Sequence, residues 1–296
     1  MILLTGVNGF IGKKLLDACI RQYGKENVVA LSSRENEKCR TILYKNHDFN
    51  STAFLDAGLD AIKLVIHAGA FTPKKKSETN DILNCNANIY FTQKLLLSIP
   101  ETVEKFIFLS TLDVYGSSKQ PISEMQSTNP NSLYGFSKLY CEKMVEQWAV
   151  ENNKTIQILR LGHVYGPGED LYQKIIPVTM QKVMKNEQPI IMGDGSAKRA
   201  FIYIEDVLFC INEFLKFNDY KGPVNIVNDH FVTIQNIVDA IIQVAEVNIV
   251  PEYIHQDLGN NDVFFDATKL KSLINVSFTS LQVGLKKEWD SIIKPN

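Results

Sequence analysis

The chain has 296 residues, 45% of them apolar, and a formal net charge of −2. It is long and apolar enough for a substantial core, and its near-neutral mixture of signs excludes the electrostatic footprint of a nucleic-acid or anionic-membrane binder. Five cysteines (Cys19, Cys39, Cys85, Cys141 and Cys210) lie far apart without a CxxC spacing, which argues against disulfides and a zinc site and for a reducing cytoplasm.

The apolar start, Met1-Ile2-Leu3-Leu4, stops at Thr5-Gly6 and has no basic leader. It reads as a first strand rather than a signal peptide. No apolar run approaches the roughly 18 residues that a membrane span needs. Strand-like runs at 2–5, 28–32, 42–48, 64–68, 106–111 and 156–161 alternate with helical patterns at 11–22, 82–98 and 134–151. Several of the strands are apolar nearly throughout, as expected when both faces of a parallel sheet are covered. The alternation predicts an α/β fold with a doubly wound parallel sheet. After Gly166-Pro167-Gly168 loops become more frequent, with helical stretches at 175–185, 205–217 and 233–245. The expected division is a dinucleotide-binding region over 1–163 and a smaller substrate lobe over 164–296. The two interleave, with part of 205–230 (the strand-like 224–227) returning to the sheet.

The segment TGVNGFIG places glycines at 6, 9 and 12 between the first strand and the first helix. Such a turn needs glycine where the backbone bends, where it approaches a pyrophosphate, and where helix and strand pack closely. The start of the helix, at Phe10, Ile11 and Gly12, offers unpaired N–H groups and a positive dipole end to phosphate. Together with the strand and helix around it, the turn predicts a Rossmann-type dinucleotide site. At the end of the second strand an NAD enzyme places an acid for the adenosine ribose. This chain has Ser32-Ser33-Arg34 there. An uncharged Ser33 beside the guanidinium of Arg34 suits a 2′-phosphate and favours NADP(H) over NAD(H).

A tyrosine four residues before a lysine, a candidate acid/base pair, occurs three times: Tyr90/Lys94, Tyr115/Lys119 and Tyr134/Lys138. The spacing alone is common. Tyr90 lies inside an apolar helix expected on the outside of the sheet, and Tyr115 precedes a Gly-Ser-Ser turn. Tyr134 opens a helix, where i, i+4 spacing stacks both side chains on one face. A free phenol titrates near 10, too high for a base at neutral pH. An ammonium one turn away is expected to stabilise the phenolate and to hold the nicotinamide ribose. Ser110-Thr111 ends the fifth strand at the carboxyl edge that faces the crevice, so a hydroxyl partner is expected there.

The set TGxxGxxG, HAGA (67–70), ST-x-x-VYG (110–116), YxxxK and RLxxVYGPG (160–168) resembles the extended short-chain dehydrogenase/reductases acting on nucleotide sugars, the NAD-dependent epimerase/dehydratase family. The resemblance runs almost end to end, through MGDGSAKRAFIYIEDV (192–207) and the terminal TSLQVGLKKEW. It implies Tyr134 as acid/base, Lys138 as its tuner and ribose anchor, and Thr111 as the hydroxyl on the reacting sugar oxygen. It implies Gly6, Asn8, Gly9 and Gly12 around the pyrophosphate, Asp48 and Phe49 beside adenine, and Ala68, Gly69 and Ala70 on the nicotinamide side. Asn88 falls where the family keeps an asparagine near the cofactor, and Arg199 where an arginine binds the nucleotide diphosphate. The resemblance also implies a homodimer paired through the helices near 82–98 and 134–151, and a role in supplying sugars for polysaccharide synthesis.

Three departures matter. The Asp-Glu pair that dehydratases place after the catalytic threonine is Leu112-Asp113 here, which removes the proton donor for elimination. His163 stands where many members have asparagine against substrate, and Ala200 replaces an acid common after Arg199. The resulting expectation is an NADP(H)-dependent reductase of a nucleotide-linked 4-keto sugar. The alternative is a nucleotide-sugar 4-epimerase with tightly bound NAD, and the remote one an inactive dinucleotide-binding regulator. No metal is expected.

Overall fold

The computed structural model describes residues 1–294 except 57, 119, 255–261 and 263. Seven parallel strands form the central sheet: β1 (Ile2–Thr5), β2 (Val28–Ser32), β3 (Arg40–Leu43), β4 (Leu64–His67), β5 (Lys105–Thr111), β6 (Thr155–Leu161) and, much later in the chain, β10 (Val224–Ile226). Their spatial order is β10-β6-β5-β4-β1-β2-β3. The chain therefore builds outward from β1 to β3, then crosses back to start β4 on the other side of β1. That reversal opens a crevice at the carboxyl ends of β1 and β4, where doubly wound sheets bind ligands.

Strict alternation within the strands explains the two helical layers. Ile2 and Leu4, Val28 and Ala30, and Ile107 and Leu109 face one core. Leu3, Val29 and Leu31, and Phe106 and Phe108 face the other. Because both sets are buried, each strand reads as a continuous apolar run. The first core is covered by α1 (Phe10–Tyr23) and by α6 (Ile204–Phe214) of the later chain. The second is covered by α2 (Ser51–Asp56), α3 (Ile82–Ser98) and α4 (Leu133–Asn152). Trp148 packs 5.6 Å from Phe106 in the second core, and Trp289 is buried in the first.

The remaining elements assemble over the crevice. A three-stranded sheet, β11-β9-β7, joins β7 (His163–Tyr165), β9 (Lys198–Tyr203) and β11 (Phe231–Thr233). A two-stranded one joins β8 (Ile190–Met192) and β12 (Glu252–Ile254). Around them lie α5 (Ile175–Met184), α7 (Ile234–Ala245), α8 (Thr268–Leu273) and α9 (Leu281–Ile293). β10 leaves this region to pair with β6, so the two lobes interleave.

The third strand is shorter than the pattern suggests. It ends at Leu43, because Asn46 and His47 turn in left-handed conformations and Asp48 N–H closes on the Lys45 carbonyl. Among the described residues no helix is long and apolar enough to cross a membrane, and all five cysteines are free and buried.

Candidate active site

The phosphate turn is shaped by its neighbours. Gly6 has φ +74°, and a Cβ there would lie 2.5 Å from the Ala68 carbonyl, so only glycine fits between β1 and the segment after β4. A Cβ at Gly12 would collide with the Gly6 carbonyl, which is why α1 can close on the turn. Gly9 caps α1 without a side-chain hydrogen bond, and the first turn holds no acid. The N–H groups at Phe10, Ile11 and Gly12 thus present an uncapped positive helix end, which fits a pyrophosphate. At the end of β2, Ser32 Oγ accepts from Asn8 Nδ2 at 2.9 Å and from the Arg34 N–H at 3.2 Å. Ser33 and Arg34 stand exposed beyond it.

The crevice floor is a hydrogen-bonded plate. Thr5 Oγ1 lies 2.7 Å from His67 Nδ1 and accepts from the Gly69 N–H at 2.8 Å, while His67 Nε2 meets Thr92 at 3.0 Å. Burial, and secondarily Lys138, hold His67 well below its ordinary pKa, so it serves as a neutral strut for the 68–70 backbone. Asn88 is buried with its amide engaged. It accepts from the Phe71 N–H at 2.6 Å and donates to the Phe71 carbonyl at 3.1 Å and to Ser137 at 3.3 Å. It thereby pins the loop after β4 to α4. Asp48 lies in an exposed turn, whereas the Phe49 ring is in the core 5.6 Å from Phe91, leaving only its backbone for an adenine edge.

The reacting groups meet where β5 and α4 approach. Thr111 ends β5, with its hydroxyl 3.3 Å from Asp113 Oδ2 and accepting from the Asp113 N–H at 3.2 Å. Ser132 caps α4 by accepting from the Gly135 N–H at 3.1 Å, which sets Tyr134 in the first turn. The buried Tyr134 hydroxyl hydrogen-bonds to Thr111 and to Thr72. Thr72 carries no motif and is identified by this contact alone.

Burial and then Asp113 push the Tyr134 phenol above its ordinary value. Lys138 is buried with Nζ donating to the Leu109 carbonyl at 2.7 Å and lying 4.2 Å from the Phe108 ring centre. Desolvation lowers its pKa to about 8. Its ammonium is thus engaged with β5, one helical turn from the phenol.

The other two pairs are structural. Lys94 sits 5.9 Å over the half-exposed Tyr90 ring. Tyr115 is buried, accepting from Arg160 at 2.6 Å and donating to Asn225 at 2.9 Å; Lys119 lies outside the described residues. Beneath Thr111, Glu142 accepts from Ser110 at 2.5 Å and from Arg160 in a bidentate pair at 3.0 and 2.7 Å. This network joins β5, β6 and α4.

On the substrate side, Leu112, Gly162, His163, Ala200, Asn228 and Phe265 line a depression. His163 keeps an edge open to solvent while these walls and Lys174 hold its imidazole below the ordinary range, hence neutral at pH 7. Its Nδ1 lies 3.3 Å from the Ala200 carbonyl. Arg199 stands on the same strand, donating to the Lys198 carbonyl at 2.7 Å, with Asp262 as a charge partner.

A segment without any motif closes the crevice. Residues 169–174 bring Tyr172 to 6.1 Å from Phe10 and place the Lys174 ammonium 4.7 Å over the Tyr172 ring. Lys174 lies within electrostatic reach of both Asp113 and His163. Among the described residues no cluster of His, Cys, Asp and Glu is disposed to hold a metal.

A parallel sheet with a phosphate turn at its switch point, and a Thr-Tyr-Lys trio on the next strand and helix, define an extended short-chain dehydrogenase/reductase. The chain belongs to the NAD dependent epimerase/dehydratase family, which it matches over residues 2–228. It is 26% identical to the UDP-glucuronic acid 4-epimerase of Bacillus cereus, solved with UDP-glucuronic acid and NAD, with a TM-score of 0.83 and 99% of each chain covered. It is 28% identical to a dTDP-4-dehydro-6-deoxyglucose reductase of Escherichia coli over 81% of this chain and 80% of that one. A dTDP-D-glucose 4,6-dehydratase of Dictyostelium discoideum is 27% identical over 82% of this chain, which spans 62% of that relative's length.

Proposed function

We propose that this protein is a nucleotide-sugar 4-epimerase that retains its dinucleotide through the catalytic cycle. The observation that carries this reading is the Tyr134 hydroxyl, hydrogen-bonded to Thr111 and Thr72 at the crevice mouth beside a turn shaped for pyrophosphate. The end-to-end likeness to a UDP-glucuronic acid 4-epimerase supports epimerisation over net reduction.

A dinucleotide held by the 6–12 turn would supply acceptance and return of hydride at the sugar carbon. The chain's own groups do the rest. Thr111 holds the reacting oxygen, and Tyr134 takes and returns its proton. Because burial and Asp113 keep the phenol protonated at rest, its deprotonation needs positive charge nearby, and Lys138 is the chain's own source of it. His163, Asn228 and Arg199 flank the nucleotide side. Leu112 offers no proton for elimination, so dehydration is not part of this reading.

A second reading, an NADPH-dependent 4-keto-sugar reductase, is favoured by one feature. β2 ends in Ser32 rather than a carboxylate, with Arg34 exposed next to it as a partner for a 2′-phosphate.

The proposal includes a homodimer in a cytoplasmic setting. Leu83 and Leu97 on α3 and Phe136, Tyr140 and Val150 on α4 are more than half exposed, an apolar face larger than isolated surface residues would make.

The deciding experiment identifies the dinucleotide released from purified protein, then incubates the protein with UDP-hexoses and UDP-hexuronates without added coenzyme. Interconversion of C4 epimers with no net coenzyme change is the expected result. Stoichiometric NADPH consumption on a nucleotide 4-keto sugar, without epimerisation, would overturn it in favour of the reductase.

A further inference from the structure

Two buried carboxyls lie outside the chemistry described so far. Glu169 follows the Gly166-Pro167-Gly168 turn, and Glu288 projects from α9. They are 1% and 2% exposed, and their side chains are in hydrogen-bond contact. Glu169 Oε1 and Glu288 Oε2 have no partner that donates a hydrogen to them. Two carboxylates cannot sit in contact out of water, so such a pair must hold a proton between them.

We propose that Glu288 is a positioning residue that, through a proton shared with Glu169, clamps the 166–174 loop to α9 and so holds Tyr172 and Lys174 over the crevice. The path is short and continuous. The Tyr172 N–H donates to the Glu169 carbonyl at 2.8 Å, and the Gln173 N–H donates to the Lys74 carbonyl at 2.8 Å. Tyr172 then rests against Phe10 of the phosphate turn, and Lys174 faces Asp113 and His163. One end of the loop is thus fixed by the carboxyl pair and the other by the rim of the active site.

The surroundings make the shared proton essential. Acidic or phenolic groups surround the pair: Tyr165 on β7 and Tyr203 on β9 lie within electrostatic reach of Glu288, Asp170 on the loop reaches both carboxyls, and Asp206 at the start of α6 reaches the two tyrosines. Asp206 is occupied by Thr279, accepting from its N–H and hydroxyl at 2.8 Å each. The Gly166 N–H hydrogen-bonds to both carboxyls, and among the described residues Lys174 is the ammonium within electrostatic reach of Glu169. On α9, Lys287 turns outward to Glu205 at 3.0 Å. Burial raises both carboxyls above the ordinary range, and Glu169 raises Glu288 further. Loss of the shared proton at alkaline pH leaves two charges in contact out of water, opposed on the Glu169 side by Lys174, and the loop releases.

Glu288→Gln tests this, because the amide keeps a donor toward Glu169 and cannot lose it. The Lys174 and Tyr172 part of the argument rests on the active-site reading above, so two measurements run in parallel. The first needs no substrate: melting temperature against pH. Wild type is expected to lose stability as pH rises through neutrality, and Glu288→Gln to flatten that fall. The second is fluorescence titration of NADH and NADPH, onto protein first freed of any retained dinucleotide, against pH. Wild-type affinity is expected to weaken about tenfold at alkaline pH, with the glutamine variant holding its neutral-pH value and Glu288→Ala weak throughout. Glu169→Gln is expected to match Glu288→Gln, since either amide completes the clamp. Identical pH curves for wild type and both glutamine variants would overturn the proposal. A flattened stability curve with unchanged dinucleotide binding would overturn the link to the active site while leaving the shared proton standing. Absence of any sugar turnover would count against the epimerase reading alone.

Discussion

Two buried charge networks flank the crevice, and they are built on opposite principles. Below Thr111, Glu142 is met by Arg160 in a bidentate pair and by Ser110, and Arg160 also donates to Tyr115, whose hydroxyl donates in turn to Asn225. Under the 166–174 loop, Glu169 meets Glu288 with two oxygens lacking donors. The first network matches an acid with a guanidinium that stays charged at every working pH, and it holds the reacting groups. The second joins like groups, and it holds the loop that covers them. The contrast teaches that the platform of this site is constant in charge, whereas its cover is conditional on a proton.

The largest expected effect tests the platform's purpose. Tyr134→Phe should lower kcat by about a thousandfold while dinucleotide binding persists, because a positioned proton donor contributes about 10²–10⁴ in rate. Loss of binding together with rate would show instead that the phenol serves architecture. Next in size, Arg160→Met should cost about 3–5 kcal/mol in chemical denaturation, since it leaves Glu142 buried without its cation. A cost no larger than that of an exposed pair would erase the distinction drawn between the two networks.

The third effect concerns the cover and has a definite sign. Glu169 and Glu288 have folded-state values raised above the unfolded carboxyl value of about 4.3. The folded state therefore holds more protons, and stability is full at low pH and declines as pH rises through the raised values. Unfolding titrations of wild type should show this decline, and those of Glu288→Gln should lack most of it. A smaller effect sharpens the outer boundary of the comparison. Phe136→Glu, on the exposed face of α4, should shift sedimentation from dimer to monomer and leave the pH dependence unchanged. Smallest of all, Lys286→Ala breaks the Lys286–Asp290 pair on the solvent side of α9, 2.8 Å long and about half exposed. It should leave the melting temperature where it was, because exposed pairs of this kind contribute little.

Much of the site was legible because its residues obey local rules. Gly6 and Gly12 occupy a turn whose backbone and packing admit nothing larger, and the strand before and helix after were readable from apolar periodicity. Tyr134 could be separated from Tyr90 and Tyr115 because only it opens a helix, with its lysine one turn further on. Thr72 was not legible, since nothing near it in sequence marks a hydroxyl that meets a phenol 62 residues away. Asn88 was singled out by position, but its engagement with Phe71 and Ser137 was not legible, and neither was the burial of the Phe49 ring. The tuning of Tyr134 by Lys138 was expected from one helical turn of separation. The depth of Lys138 was not legible: the ammonium is desolvated and donates to the Leu109 carbonyl.

What the sequence determined by itself is therefore what depends on neighbours along the chain: alternating layers of a parallel sheet, the phosphate turn at its head, and the trio that places Thr111 and Tyr134 at one edge. What only the tertiary structure decided is which polar groups lose water together. Glu169 and Glu288 are 119 positions apart and each reads as an ordinary surface acid. Folding α9 against the 166–174 loop removes both from solvent at once, and the energy of an ionised group depends on that exclusion more than on any residue beside it in the chain.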